Sequence, residues 1–225
     1  MRNSMTGRLI AFEGIDGVGK DTQLKLFQER LETEGIKYKT ASFPRHGEKS
    51  AYFVDKYLEL DGPYGDSGKL DPYQASVFYS VDRYDASFEI KKWLNDGFTV
   101  VLDRYTGSNI GHQGGKIDNE ERAKYADWLL NFEYNLLQIP KPIFSIVLWL
   151  PPEVAHSRIT SRGREMDGHE VNLEHLKKAQ LAYLWASKHY PDDFKVVKCF
   201  EEERELSEKE VHEKIWQIVK EVLKS

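Results

Sequence analysis

The chain of 225 residues carries 32 basic and 37 acidic side chains, a formal net charge of −5, and its length predicts one domain over residues 1–225. The mild acidity argues against a general nucleic-acid-binding protein, and the lone Cys199 excludes an internal disulfide framework or a cysteine-based metal cluster. Apolar runs fall far below the ~18 residues that a membrane span needs, and residues 1–8 lack a signal-peptide pattern, so we expect a cytoplasmic protein with no membrane partner.

Short apolar runs alternate with longer amphipathic patterns along the chain. Buried strands are predicted at 9–12, 38–43, 98–102, 143–150 and 194–199. Helices are predicted at 21–34, 51–60, 72–95, 118–137, 173–189 and 207–223, with a further helix opening at 151–152. Asp71 before Pro72 is typical of a helix start, and Ser207 with Glu210 has capping-box spacing. This alternation predicts an α/β fold, a parallel sheet of about five strands covered by helices on both faces.

The segment after the first predicted strand has the Gly-x4-Gly-Lys spacing of a phosphate-binding P-loop. Glycines let consecutive backbone amides converge on phosphate oxygens, and the helix that begins near Lys20 adds its positive end. The side chain of Lys20 is expected to reach the β- and γ-phosphates. The residues expected to hold ATP are Gly14, Ile15, Asp16, Gly17, Val18, Gly19, Lys20, Asp21 and Thr22.

Asp21 departs from the motif, which has Ser or Thr after the lysine to ligate Mg²⁺. A carboxylate can ligate Mg²⁺, but it also places a negative charge beside a triphosphate. Direct ligation, ligation through water and orientation away from the metal all stay open, and Thr22 remains placed to touch a phosphate.

Ligands of parallel sheets bind at the carboxyl ends of the strands, so the residues that follow the other strands are further candidates. They are Phe43, Pro44, Arg45 and His46 after the second strand, Asp103, Arg104, Tyr105, Ser108, Asn109, His112 and Gln113 after the third, and Arg158, Arg162 and Arg164 after the fourth. The predicted helix 72–95 adds Tyr79, Asp82 and Arg83. A phosphoryl-transfer enzyme needs cations on the transferred group, and apart from Lys20 the loop supplies none, so they must come from such segments.

Together these segments resemble the thymidylate kinase family of P-loop nucleoside-monophosphate kinases, from about residue 9 to residue 190. The specific parts are the loop with its internal Asp16, Phe43-Pro44-Arg45, the Tyr79-to-Arg83 segment, Asp103-Arg104-Tyr105-x-x-Ser108, and Pro151-Pro152-Glu153 leading into an arginine-rich segment. The resemblance implies a three-layer P-loop kinase fold with a mobile lid at about 158–170. It also implies Mg²⁺-dependent transfer of the γ-phosphoryl group of ATP to dTMP, giving dTDP and ADP.

The resemblance further implies roles on the acceptor side. Arg45 and Arg104 would clamp the acceptor phosphate, while Arg83 would hydrogen-bond thymine O4, an acceptor that suits a planar guanidinium. Tyr79 would stack on the base, with Phe43 nearby. The other residues implied for dTMP are Asp16, Ser108, Asn109, His112 and Gln113.

For the chemical step, the resemblance implies a catalytic set of Asp16, Lys20, Arg104, Arg158, Arg162 and Arg164. Asp16 and Asp103 would serve the metal, Asp103 on Mg²⁺ or its bound water. Because the loop lacks an arginine, the chain resembles the subtype that supplies catalytic arginines from the lid. Glu170 resembles the acid that follows the lid.

His46 and His112 stand where tyrosine is common in the family. The tyrosine at the second position is associated with exclusion of a ribose 2′-hydroxyl, whereas an imidazole is shorter and can hydrogen-bond. Either His112 substitutes as a polar aromatic residue, or selectivity for deoxyribose is altered.

Two other functions stay open at this stage. One is a kinase of another deoxynucleotide such as dUMP, or of a deoxynucleoside, although Arg45 favours a monophosphate. The other is a GTP-binding switch, whose Asn/Thr-Lys-x-Asp element is only approached at 68–71 and 115–118. The resemblance also implies a homodimer through the aromatic-rich helices 72–95 and 118–137.

Overall fold

The computed structural model describes residues 6–59, 62–65, 67–161 and 172–224. Its centre is a five-stranded sheet, parallel throughout, in the order β2-β3-β1-β4-β5. The strands are β1 (Arg8–Glu13), β2 (Tyr38–Ser42), β3 (Thr99–Asp103), β4 (Phe144–Trp149) and β5 (Phe194–Lys198). A short antiparallel pair, β6 (Phe200–Glu201) and β7 (Arg204–Glu205), follows β5. The predicted α/β fold with five parallel strands is confirmed.

The helices cover both faces of this sheet. They are α1 (Lys20–Thr33), α2 (Tyr52–Leu58), α3 (Pro72–Asn95), α4 (Thr106–His112), α5 (Asn119–Leu130), α6 (Pro152–Ser161), α7 (Leu173–His189) and α8 (Glu208–Lys224). The predicted start of α3 is confirmed, because the Asp71 carboxylate accepts hydrogen bonds from the backbone amides of Tyr73 and Gln74. The capping box of α8 is confirmed by reciprocal bonds between Ser207 and Glu210.

Alternation along β1 divides the core into two parts. Ile10 and Phe12 pack on the face covered by α1, α7 and α8, whereas Leu9 and Ala11 pack on the face covered by α3. All four side chains are buried, as expected for a parallel strand with helices on both faces. Among the described residues, no helix combines the length and the apolar character that crossing a bilayer would require.

The structure departs from the predicted helices in two places. No helix was predicted at 106–112, yet α4 forms there; a Cβ on its Gly111 would lie 2.4 Å from the Tyr183 ring, so close packing against α7 holds a segment of poor helix formers. The predicted helix 118–137 is α5 followed by a π-helical segment, Asn131–Leu136, whose wider turn directs Glu133 into the core.

Candidate active site

The P-loop joins β1 to α1 and depends on its glycines at two points. Gly17 approaches α6 so closely that a Cβ would lie 2.3 Å from the carbonyl oxygen of Ala155. Gly19, which caps α1, has a φ of 98°, in the region that favours glycine. The loop is therefore fixed between the central strand and α6, with the first turn of α1 opening beside it.

Lys20, the first residue of α1, is buried, and its side chain reaches back into the loop. Its Nζ donates hydrogen bonds of 3.1 Å to the carbonyl oxygens of both Gly14 and Ile15. Burial, and then the charge of Arg104, lower the pKa of Lys20 from its ordinary value. The neighbouring Asp21 is exposed on the first turn of α1.

A cavity begins beside the loop, on the side of α6 and β5. Its lining includes Val18, Gly19, Thr22, Arg158, Cys199 and Leu206. Arg158 donates to the carbonyl oxygen of Gly17 (3.3 Å) and forms an ion pair with Glu205 on β7. Of the predicted lid, this arginine is described, whereas Arg162, Arg164 and Glu170 lie outside the described residues.

An acceptor cleft opens at the same carboxyl edge of the sheet, on the side of β3 and β2. The residues that line it are Asp16, Ser42, Phe43, Pro44, His46, Leu58, Tyr79, Arg83, Asp103, Arg104, Ser108, Asn109, His112 and Gln113. Every residue predicted for dTMP lies here except Arg45. The topology thus brings together side chains that are spread over nearly 100 positions of sequence.

Arg104 joins this cleft to the P-loop. Its guanidinium forms an ion pair with Asp16, donates to the carbonyl oxygen of Gly14 (3.3 Å), and lies 3.1 Å from Nε2 of His112. Burial alone would raise the pKa of the Asp16 carboxyl, but Arg104 and Lys20 outweigh it and hold that pKa below its ordinary value. Asp16 is therefore ionised at neutral pH and anchors the arginine.

The backbone of Arg104 is itself strained, with a φ of 62° in the left-handed region. A hydrogen bond of 2.8 Å from its amide to the carbonyl oxygen of Phe12 holds this conformation against the end of β1. Such a conformation costs about 1–2 kcal/mol in a residue with a Cβ, and it tends to occur where a side chain must be aimed at a site.

Arg83 is buried in the wall of the cleft against Glu133, a residue that the sequence analysis did not single out. The two side chains are joined by bonds of 2.9 Å from Nε and 2.5 Å from Nη2. Glu133 also accepts 2.7 Å bonds from the hydroxyls of Ser80 and Thr106, so the carboxylate is fully used. The guanidinium is thereby held in one orientation at the cleft wall.

Arg45 lies outside the cleft lining and faces α3. Its Nε is 2.9 Å from Oδ1 of Asp82, and its Nη2 is 2.6 Å from both Asp85 Oδ2 and Ser50 Oγ. An acceptor phosphate would have to share or displace these carboxylates. Arg104 therefore lines the cleft, whereas the guanidinium of Arg45 is engaged by carboxylates of α3.

Glu13 at the end of β1 is a second residue that sequence reasoning missed. It accepts hydrogen bonds from the amide of Tyr105 (2.9 Å), from Ser108 Oγ (2.6 Å) and from the hydroxyl of Tyr183 (3.2 Å). Burial raises the pKa of its carboxyl to about 7, against the opposing effects of Ser108 and Arg104. The available signal was its position, a carboxylate that ends a buried strand directly before the P-loop.

Asp103, at the end of β3, offers a carboxylate oxygen to the site. Its Oδ2 accepts a 3.1 Å hydrogen bond from Ser42, whereas its buried Oδ1 has no hydrogen-bond partner among the described residues. Among all the residues that the structure describes, there is no cluster of three or more His, Cys, Asp or Glu arranged for a metal ion. The described residues would thus supply at most two such side chains to a cation here, and the other ligands would come from a nucleotide and water, as is usual for Mg²⁺.

Known proteins resemble this chain over most of its length. A family model described as thymidylate kinase matches residues 12–215. Thymidylate kinase of Mycobacterium tuberculosis (strain ATCC 25618 / H37Rv) is 29% identical over 180 residues, 78% of this chain and 83% of that protein. A probable thymidylate kinase of Archaeoglobus fulgidus is 32% identical over 177 residues, 78% of this chain and 80% of that protein.

A solved structure shares the fold over nearly the whole chain. Thymidylate kinase from Candida albicans, a structure reported to reveal the origin of broad substrate specificity, superposes with a TM-score of 0.71 at 22% identity. The match covers 97% of this chain and 93% of that one. With a family model that matches most of its length, the chain belongs to the thymidylate kinase family of phosphotransferases.

Proposed function

We propose that this chain transfers the γ-phosphoryl group of ATP to dTMP, giving dTDP and ADP, with Mg²⁺. One observation carries the proposal: Arg104 lines the acceptor cleft and, at the same time, hydrogen-bonds the Gly14 carbonyl of the P-loop. The donor phosphates and the acceptor phosphate would therefore meet at one guanidinium.

The described residues act by position and charge. No covalent intermediate is needed, because phosphoryl transfer requires in-line placement and stabilisation of charge on the transferred group. Lys20 brings its ammonium to the β- and γ-phosphates, and Arg104 brings its guanidinium to the acceptor. Because the lowered pKa of Asp16 keeps it ionised, it orients Arg104 and does not donate a proton.

The acceptor site fits a Mg²⁺ ion beside Asp103. Oδ1 of this aspartate is a buried, unpaired carboxylate oxygen among the described residues, and hard cations prefer such a ligand. When bound, Mg²⁺ neutralises charge on the phosphates. Asp16, which is engaged by Arg104, would serve the metal through water, and the exposed Asp21 is oriented for solvent.

Base recognition is proposed for Arg83 and Tyr79. Glu133 holds the Arg83 guanidinium at the cleft wall, where it can donate to thymine O4. Tyr79 lies in the same cleft and supplies an aromatic face, while Asn109 supplies an amide at the base edge. A GTP-binding switch finds no support, because neither near-miss segment follows a strand: 68–71 begins in a turn, and 115–118 begins within the 3₁₀ helix Gly114–Lys116.

A homodimer is also proposed, through α3. Its exposed apolar side chains are Val77, Val81, Tyr84 and Phe88, which recur on one side of the helix. Phe88, at 61%, is the most exposed of the four, and a contiguous apolar patch of this kind marks an interaction surface where a single exposed apolar side chain would not. A cytoplasmic location stays a prediction.

Steady-state ADP release tests the proposed reaction across dTMP, dUMP, UMP, dCMP, dGMP and thymidine. We expect the highest kcat/KM with dTMP, and a loss of about 100-fold or more in Arg104→Ala, since a charge that acts in the transition state is removed. Arg204→Ala is the control, because that arginine is exposed and paired with Glu210 away from the cleft. A preference for thymidine, or near-normal turnover of Arg104→Ala, would contradict the assignment.

A further inference from the structure

Two buried histidines are in contact beside the acceptor cleft, and only one of them, His112, is among the residues implied for dTMP. His112 ends α4, and His175 lies in the first turn of α7. Nδ1 of His112 is 3.1 Å from Nε2 of His175, and the two rings lie edge to edge, inclined by 25°, with centroids 5.4 Å apart. The other nitrogen of His112, Nε2, is 3.1 Å from Nη1 of Arg104.

Arg104 and His175 together determine the tautomer of His112, one at each ring nitrogen. A guanidinium can only donate, so Nε2 of His112 is the acceptor of the bond from Arg104. The proton of a neutral His112 is then on Nδ1, and it is donated to Nε2 of His175. Protonation of His112 on Nε2 would break the bond to Arg104 and place a second cation beside it.

We propose that His175 is a positioning residue of the acceptor site: it fixes the tautomer and ring orientation of His112, and through His112 the guanidinium of Arg104. The part of this inference that concerns turnover rests on the proposed function. The hydrogen bonds form one line from His175 through His112 and Arg104 to Asp16. Even a small displacement of a group that holds the phosphates is costly in phosphoryl transfer, because in-line geometry supplies much of the rate.

The surroundings of His175 suit an acceptor. Burial, followed by the charge of Lys116, lowers the pKa of His175 to about 4, so its ring stays neutral at physiological pH. Both nitrogens of His112 are engaged by Arg104 and His175, which leaves carbon atoms of its ring for the cleft. His112 therefore acts as a fixed wall beside the acceptor, and not as a hydrogen-bond partner of a sugar hydroxyl.

Two substitutions at one position separate this role from simple packing. His175→Leu removes the acceptor for His112 Nδ1–H, whereas His175→Gln keeps one, since the glutamine amide oxygen reaches about as far as Nε2. We expect His175→Leu to lower kcat/KM for dTMP at least about tenfold with KM for ATP unchanged, and His175→Gln to restore most of it. His189→Leu, on the exposed side of the same helix, is the control and should match the wild type.

The imidazole ¹⁵N shifts of His112 give a readout that does not depend on turnover. The wild type and His175→Gln should show a proton on Nδ1 and none on Nε2, and His175→Leu should lose this pattern. If the wild type fails to turn over dTMP, the proposed function is wrong, and the nitrogen shifts still decide the positioning role. Equal kinetics and equal shifts in His175→Leu and the wild type would overturn the inference.

Discussion

Arg104 combines a strained backbone with a guanidinium that pairs with Asp16 of the P-loop and also lines the acceptor cleft. Left-handed backbone costs a residue with a Cβ about 1–2 kcal/mol, while glycine loses about 0.5–1 kcal/mol more entropy on folding than alanine. Arg104→Gly and Arg104→Ala should therefore both lose activity, but the glycine variant should be more stable by roughly 0.5–1 kcal/mol. Urea unfolding measures the difference.

Gln138 provides the matched control for this comparison, because it also has a positive φ, 54°, and lies outside the cleft. Gln138→Gly should exceed Gln138→Ala in stability by a similar amount, with turnover unchanged in both. An alanine variant at position 104 as stable as the glycine variant would mean that the arginine backbone is relaxed.

Glu13 gives the molecule a pH dependence whose sign follows from its pKa. Because burial raises that pKa from 4.5 to about 7, between these values the folded protein retains a proton that the unfolded chain has released. The free energy of unfolding should fall by roughly 3 kcal/mol as the pH rises from about 4.5 through 7. Glu13→Gln should lack this slope, so its stability relative to the wild type should grow between pH 5 and pH 8.

The control for this titration is Glu120→Gln, an exposed acid on the first turn of α5. Its difference from the wild type should be the same at both pH values. A Glu13→Gln difference that does not change with pH would show that the buried carboxyl titrates normally.

At the scale of elements, the π-helical segment Asn131–Leu136 is the part of the fold that holds Arg83. Glu133→Gln removes the negative charge of a fully buried ion pair and leaves the Arg83 guanidinium uncompensated, which should cost on the order of 3 kcal/mol in stability. It should also raise KM for dTMP while KM for ATP stays unchanged. Glu121→Gln on α5, whose carboxylate is exposed and paired with Lys124, should change stability by less than about 0.5 kcal/mol.

An unchanged KM for dTMP in Glu133→Gln would separate Arg83 from base recognition. KM for ATP shows whether a raised KM for dTMP reflects lost orientation of Arg83 or general loss of structure, because general loss of structure would raise both. Calorimetric or urea unfolding of the same variant checks that it is folded under the assay conditions.

Elements with their own periodicity and caps could be predicted from sequence, and elements made by packing could not. The start of α3 was predictable because Asp71 and Pro72 stand next to each other. α4 was not, since its Thr-Gly-Ser-Asn-Ile-Gly-His sequence favours turns and is held by contact with Tyr183. The same limit applies to the site: Glu133 and His175 act on partners 50 and 63 positions away, and no local pattern marks them.

For the whole molecule, the exposed apolar side of α3 predicts association. Light scattering at micromolar concentration should give a dimer, and Phe88→Glu should give a monomer, because a charge would have to be desolvated in the interface. Leu181→Glu is the control: this leucine is 62% exposed but lies on α7, away from α3. A monomeric wild type, or an equal effect of both substitutions, would contradict an interface on α3.

The position of β1 between β3 and β4 separates the two substrates by strand. Phe43 after β2 and Arg104 after β3 lie on the acceptor side, whereas Arg158 after β4 and Cys199 after β5 line the cavity on the other side. Under the proposed function, most residues that contact the donor and most that contact the acceptor therefore lie in separate stretches of the chain. Each stretch can diverge, or be exchanged with a relative's, except where the two sides meet: at the loop after β1, at Arg104, which bonds the Gly14 carbonyl, and at His175 on α7, which contacts His112.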